Sequence, residues 1–293
     1  MRDDVSFTVD GTRIAAYLYP ATGPGPSPCI VMAHGFTAVR DQALPTYAER
    51  FQQQGYAVLL FDYRFFGASE GMPRQLLDIG KQHEDWRAAI GYARALPDVD
   101  PERIVLWGSS FSGGHVVTLA SQDSRVAAVI AQVPFGDGVA TVRSFPLLPT
   151  LQVTGLALLD QAKALLGRGP VLVTAAAKKG ELAILTADEA LPGFQSIDPP
   201  NSTWRNELTA RVFLRVPFYR PVSVAKKVQA PLLVSVADKD ETVPPAPALK
   251  MGQLAPRGEV IRYPIGHFEI YTGAPFETAI VDQIAFLKEH VPL

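Results

Sequence analysis

The sequence predicts an α/β fold in which a mostly parallel, doubly wound sheet is flanked by helices and interrupted by a helical cap. Three observations predict it: short apolar runs recur along the chain, helix-like segments separate them, and this alternation lapses once. Short continuous apolar runs are typical of strands buried on both faces of a parallel sheet. Strands that alternate with helices indicate right-handed crossover units, and 293 residues, 47% of them hydrophobic, suffice for a large core.

The chain opens with a predicted β-hairpin, because segments 5–9 and 13–18 flank an Asp-Gly pair that favours a tight turn. The other predicted strands are the apolar runs 29–33, 57–61, 104–107, 126–133, 232–236 and 260–263. Helical patterns between and after these runs lie at 43–53, 81–95, 111–121, 246–254 and 275–290. Together these elements make up the predicted core.

The alternation lapses from about residue 138 to residue 221, where Pro-rich joints separate helix-like segments. We therefore predict a core of residues 1–137 and 222–293 and a helical cap of residues 138–221. The predicted cap helices lie at 151–166, 187–191 and 203–214. Caps commonly wall the substrate pocket, and the Leu, Val, Ala and Phe residues of this one indicate an apolar pocket. The alternative is that these residues only cover the core.

Composition narrows the classes of partner. A net charge of −2, without a long run of like charges, argues against nucleic acid. The single cysteine, Cys29, lies in an apolar run, so we expect a buried, inert thiol and no internal disulfide. Without a signal-peptide pattern or a span of about 20 apolar residues, we expect a cytoplasmic protein with no membrane span. The sequence leaves the oligomeric state open, a homo-oligomer included.

The candidate nucleophile is Ser110, which lies where the run 104–107 meets the next helix, in the segment Gly-Ser-Ser-Phe-Ser-Gly-Gly. A serine on a sharp strand-to-helix turn needs small residues two positions away on either side. Gly108 supplies one, and Ser112 replaces the glycine usual at the other. Ser109 and Ser112 are rivals, and Ser109 lacks this flanking pattern. A phosphate-binding turn is the competing interpretation, but the Gly-Lys-Ser/Thr ending of a P-loop is absent.

A serine hydroxyl needs a base, and a histidine has a suitable pKa. His267 follows the last predicted strand, so it lies at the carboxyl edge of the sheet, where ligands bind in open α/β sheets. We expect structural roles for the four other histidines, which are His34, His83, His115 and His290.

A carboxylate must hold the base in one tautomer. The loop after the predicted strand 232–236 offers Asp238, Asp240 and Glu241, and Asp137 follows another strand at the same edge. We prefer Asp240, because Asp238 is close enough to the strand end to cap or close the loop. The loop residues by themselves favour Asp240 over Asp238 only slightly.

The chain order of these residues, Ser110, then Asp240, then His267, resembles that of the α/β-hydrolase superfamily. The turn His34-Gly35-Phe36 and the loop 61–69 match the family as well, and the segment 240–244 resembles its acid loop, which favours Asp240 over Asp238. Dienelactone hydrolases and acyl-peptidase-like esterases are the most similar members, and the cap diverges most. The resemblance implies an oxyanion hole made by the backbone N–H groups of Phe36 and Phe111. It also implies that Asp62 and Arg64 brace the loop beneath the site.

These residues predict a serine hydrolase of the carboxylesterase type that cleaves an ester of a small to medium, largely apolar substrate through an acyl-enzyme. The same triad could act on an amide, thioester, peptide or carbon–carbon bond, because cap and loops set specificity. A ligand-binding protein without turnover is the third hypothesis. We expect a small-molecule substrate, no cofactor and no metal, since the histidines lack paired spacing and no Cys/His cluster is present.

Overall fold

The computed structural model describes residues 2–23 and 25–293. Its strands are β1 (Asp3–Val9), β2 (Thr12–Tyr19), β3 (Ser27–Ala33), β4 (Ala57–Phe61), β5 (Val99–Ser109), β6 (Val126–Gln132), β7 (Leu172–Thr174), β8 (Glu207–Thr209), β9 (Leu232–Ala237) and β10 (Gly258–Tyr263). Its α-helices are α1 (Leu44–Gln53), α2 (Ile79–Arg94), α3 (Phe111–Ala120), α4 (Gly138–Ser144), α5 (Leu147–Leu165), α6 (Ala190–Ile197), α7 (Pro245–Leu254) and α8 (Gly273–His290).

Eight strands form one sheet in the order β1-β2-β4-β3-β5-β6-β9-β10. The pairs from β4 to β10 are parallel, whereas β1 pairs with β2, and β2 with β4, in antiparallel register. Every residue of β3, β4 and β9 is buried, as expected for apolar strands covered on both faces. The predicted doubly wound, mostly parallel α/β fold is confirmed, and so are its hairpin and its core strands.

Helices cover both faces of the sheet and create two apolar clusters. One cluster contains Trp86 of α2 and Met251 of α7, and the other contains Tyr47 of α1 and Phe286 of α8. The carboxyl ends of β3, β5, β9 and β10 all lie at one edge of the sheet, because these strands are parallel. Residues that follow these strands therefore converge there. Within residues 2–23 and 25–293, no helix is long and apolar enough to cross a membrane.

The predictions for the insertion between β6 and β9 are only partly correct. The first predicted helix is α5, and the second begins three residues late as α6. The predicted helix 203–214 is wrong: Glu207–Thr209 is strand β8, which pairs with β7, and a 3-10 helix follows over Ala210–Leu214. Tertiary hydrogen bonds hold this segment in an extended conformation. The side chain of Asn206 accepts from the N–H of Ala176 and donates to its carbonyl, each at 2.8 Å. Helix α4 was not predicted.

Candidate active site

Ser110 occupies the turn between β5 and α3 with φ 57° and ψ −120°, a backbone conformation that residues other than glycine rarely adopt. Its N–H donates to the carbonyl of Gln132, and its carbonyl accepts from Phe135, each at 2.9 Å. A Cβ at Gly108 would lie 2.3 Å from the carbonyl oxygen of Ser112, so only glycine permits this approach of strand and helix. Ser110 therefore sits on the strained elbow that the sequence predicted.

The two rival serines have buried partners. The hydroxyl of Ser109 lies 2.6 Å from that of Tyr271. The hydroxyl of Ser112 lies 2.9 Å from that of Tyr63, which also accepts a hydrogen bond from the indole of Trp86. The departure from the glycine pattern at position 112 thus supplies a polar contact beneath the elbow.

Ser110, His267 and Asp240 form a continuous hydrogen-bonded chain. Nε2 of His267 lies 3.0 Å from Oγ of Ser110, and Nδ1 lies 2.6 Å from Oδ2 of Asp240. The other oxygen of Asp240 accepts from the N–H groups of Thr242 and Val243 at 2.9 and 2.6 Å. Both its oxygens are therefore occupied, and the imidazole is held in the tautomer with its proton on Nδ1.

The environment of His267 changes its basicity. Burial acts to lower the pKa of His267, but the charge and hydrogen bond of Asp240, together with the charge of Glu189, raise it above the ordinary value. A raised pKa makes the ring a stronger proton acceptor.

The alternative acids have other partners. Asp238 pairs with Arg262 at 2.8 Å at the end of its strand. Asp137 caps α4 by accepting from Val139 and Ala140, and it pairs with Arg220 at 2.9 Å. Neither carboxylate is hydrogen-bonded to His267, whereas that of Asp240 is.

The four other histidines also have structural contacts. His115 is buried against Gln82 and Tyr219, at 2.9 and 2.6 Å, and burial places its pKa well below the usual value. Burial likewise lowers the pKa of His34 and of His83 to about 4, so both rings are neutral at pH 7. His290 pairs with Glu259 at 2.7 Å. Among the described residues, no cluster of histidine, cysteine and acidic side chains could hold a metal ion.

The two residues whose amides are predicted to form the oxyanion hole, Phe36 and Phe111, line the same pocket as Ser110. Phe111 begins α3, so its N–H has no acceptor within the helix. The loop that carries Phe36 packs directly on Ser110, since a Cβ at Gly35 would lie 2.8 Å from that of Ser110. The rings of Phe36 and Phe111 meet edge to face with centroids 5.6 Å apart.

Asp62 and Arg64 brace the loop that follows β4. Asp62 is buried and accepts from the N–H groups of Arg40 and Ala68 at 2.8 and 3.0 Å. Arg64 is buried beside Asp85, with a nitrogen–oxygen distance of 2.5 Å. Burial raises the pKa of Asp85 to about 7 although Arg64 opposes the shift.

An apolar pocket opens at Ser110 between the sheet edge and the insertion. Its core-side lining is Phe36, Ser110, Phe111, Phe135, Thr242 and Val243, and its insertion-side lining is Thr141, Phe145, Ile184, Leu185, Phe213 and Val216. A more polar groove, bordered by Lys179 and Glu241, shares Phe145, Leu185 and Thr242 with this pocket. The pocket and the groove are therefore adjoining.

A family model described as X-Pro dipeptidyl-peptidase (S15 family) matches residues 10–241 of the chain. The chain belongs to the S15 family. The matched range includes the elbow and Asp240, and His267 lies beyond it. The quorum-quenching protein AidA of Acinetobacter baumannii is 46% identical over 99% of this chain and 95% of its own length. The thiohydrolase aneE of Aspergillus aculeatus is 31% identical over 96% of this chain and 91% of its own.

A solved structure supports the fold. The α/β hydrolase GrgF from a Penicillium species has a TM-score of 0.86 and 27% identity, with both chains covered completely. The resemblance to α/β hydrolases that the sequence predicted is therefore confirmed. This S15-family protein is a hydrolase of the α/β-hydrolase fold.

Sequence reasoning missed one residue at the site of this S15-family hydrolase, Glu189. It lies in the insertion just before α6 and reaches the two loops that carry Asp240 and His267. One carboxylate oxygen accepts from the N–H groups of Glu241 and Thr242 and from the Thr242 hydroxyl, at 2.8 to 3.0 Å. The other accepts from the N–H of His267 at 2.8 Å.

Gly266 makes room for Glu189 beside His267. A Cβ at Gly266 would lie 2.4 Å from the Glu189 carboxylate, so the glycine before His267 leaves room for it. That relation connects residues 77 positions apart and could not be found in the sequence pattern.

Replacing Glu189 by glutamine should lower kcat/KM about tenfold and shift the acid limb of its pH profile to lower pH. The amide removes a negative charge that favours the imidazolium, so the pKa of His267 falls, and its NH₂ cannot accept from the His267 N–H. Glu181→Gln, an exposed change in the same insertion, is the control. An acid limb at the same pH in Glu189→Gln and the native protein would contradict the expected role.

Proposed function

We propose that the chain is a serine hydrolase in which Ser110 is the nucleophile, His267 the general base and Asp240 the acid that orients it. The backbone N–H groups of Phe36 and Phe111 form the oxyanion hole. The preferred substrate is a carboxylic ester with a small to medium apolar acyl group. The hydrogen-bonded chain from Asp240 to Ser110, opening on an apolar pocket, carries this proposal.

The reaction has two steps. Ser110 attacks the carbonyl carbon while His267 accepts the hydroxyl proton, and the two amides stabilise the oxygen that becomes negative. The protonated His267 then gives its proton to the leaving alcohol, which departs and leaves an acyl-enzyme. Water activated by His267 hydrolyses that ester and restores Ser110. Neutral His267 is required at the start of each step, so activity should fall as pH drops through its raised pKa.

The insertion shapes the substrate pocket. We propose residues 138–221 as a cap over the core of residues 1–137 and 222–293, because half of the pocket lining comes from them. The apolar side of this lining favours an acyl chain, and the adjoining polar groove suits the leaving group. We further propose a small-molecule substrate and a cytoplasmic location.

A thioester is the second candidate bond, because a relative over nearly the whole chain is named a thiohydrolase. The catalytic chain of Ser110 would act in the same way, with a thiol as leaving group. Esters, thioesters and amides with acetyl, butyryl and octanoyl groups distinguish the candidates. We expect longer acyl groups to exceed acetyl for the preferred bond; a profile that is flat or best for acetyl would contradict an apolar acyl pocket.

Fluorophosphonate labelling tests the nucleophile directly. The native protein should take up one equivalent at Ser110, identified by peptide mass, whereas Ser110→Ala should take up none. Ser112→Ala should still be labelled, because that hydroxyl bonds Tyr63 beneath the elbow. Folded native protein that remains unlabelled would refute the serine mechanism and favour a ligand-binding role.

A further inference from the structure

Helix α5 of the insertion exposes an apolar face that none of the residues 2–23 and 25–293 covers. Seven leucines in and just after it are between 52% and 80% exposed: Leu147, Leu148, Leu151, Leu158, Leu159, Leu165 and Leu166. The other exposed positions of the helix are Gln152, Gly155 and Ala162. Not one of these exposed positions carries a charge. A solvated helix normally presents charged and polar residues on this side.

The opposite face of α5 is fixed to the body of the protein. Val153 and Ala157 are buried. Asp160 is also buried, and its two oxygens accept from the N–H of Val171 at 2.7 Å and from the backbone and guanidinium of Arg211 at 2.7 to 3.0 Å. A rotation that buried the leucines would leave this carboxylate without partners, so the apolar face remains outward.

The size of the face matches that of a protein interface. Typical soluble monomers have a largest apolar patch of about 300–600 Å². Seven leucines that are each more than half exposed present an apolar area that reaches or exceeds this value. Two such faces packed together would bury an area close to the about 1,200 Å² of small specific interfaces.

The pattern of small and large residues fits a second copy of the same helix. Exposed residues recur at 148, 151, 155, 158, 162 and 165, which is the alternating three-and-four spacing of a helix-pairing seam. Gly155 lies near the middle of the helix. In an antiparallel pair with its two-fold axis at Gly155, Leu151 of one copy lies beside Leu159 of the other, and Leu148 lies beside Ala162. The glycine lets the two backbones approach at the axis.

A lipid surface fits the helix less well. Helices that lie on anionic membranes carry several Lys or Arg residues beside their apolar face, whereas Lys163 is the one cation within α5. We propose that α5 is the interface of a two-fold homodimer of this chain, with Gly155 at the axis.

Sedimentation velocity from about 1 to 100 μM, a range that covers moderate to weak association, tests the interface. The native protein should sediment as a dimer that dissociates on dilution, and the double variant Leu151→Glu/Leu158→Glu should be monomeric at every concentration. Val281→Glu, which changes a 58% exposed residue of α8, should remain dimeric. A native protein that is monomeric throughout, or a double variant that still dimerises, would overturn the proposal.

A cysteine pair tests the axis. Gly155→Cys introduces a side chain into open space and should form a disulfide-linked dimer under mild oxidation, since Cys29 is buried. Gly91→Cys is the matched control, because Gly91 is exposed on α2 and also has open space around it. Equal cross-linking of the two variants would refute the axis. Flotation of the native protein, but not of Leu151→Glu/Leu158→Glu, with phosphatidylglycerol vesicles would refute the second copy as the occupant.

Discussion

Asp240→Asn is expected to lower kcat/KM for an ester substrate by about 10⁴-fold, the loss typical when a triad carboxylate becomes an amide. The amide can donate to Nδ1 of His267, which would place the ring proton on Nε2. His267 could then no longer accept the Ser110 proton, although the fold would be retained. Steady-state rates with the best ester of the substrate series measure the effect.

Asp238→Asn is the matched control, because it changes an aspartate two positions earlier in the same loop. Its carboxylate contacts Arg262 on the surface and has no bond to His267, so kcat/KM should change by less than about threefold. A large loss in Asp238→Asn with near-native activity in Asp240→Asn would reverse the assignment of the acid.

Gly35→Ala is expected to lower kcat by about 10² to 10³-fold, the loss typical when one oxyanion donor is removed. The new Cβ would lie 2.8 Å from Cβ of Ser110 and 3.1 Å from the Ser109 carbonyl oxygen. The loop must move away from the elbow, and the N–H of Phe36 moves with it. KM should change less than kcat, because the amide acts mainly on the negative oxygen of the transition state.

Gly23→Ala serves as the control for Gly35→Ala. Gly23 lies in the loop before β3, where an added Cβ meets nothing within 4 Å, so activity and melting temperature should remain native. A Gly35→Ala variant with native kcat would exclude the Phe36 amide from the oxyanion hole. A variant that has lost its cooperative melting would report on folding instead. Phe36→Ala, which retains the amide but removes a ring from the pocket lining, should then raise KM more than it lowers kcat.

Local patterns in the sequence were sufficient for most of the core. Strands such as β3, β4 and β9 are short apolar runs because both faces of a parallel sheet are covered. Their burial can therefore be predicted directly from their composition. The first half of β5 was missed because residues 100–103 are polar or proline, and only its second half is fully buried. Segment 203–214 misled prediction because tertiary hydrogen bonds outweighed its helix propensity.

The sequence by itself determined the α/β fold, the elbow at Ser110 and the positions of His267 and the acid loop, because each follows a strand whose apolar pattern is local. The sequence favoured Asp240 over Asp238, but only the tertiary structure showed that its carboxylate bonds the ring of His267, because that contact joins residues 27 positions apart. The contacts of Glu189 and the exposed face of α5 also emerged only there. Both depend on how the insertion packs against the core, and no local periodicity encodes contacts between distant segments.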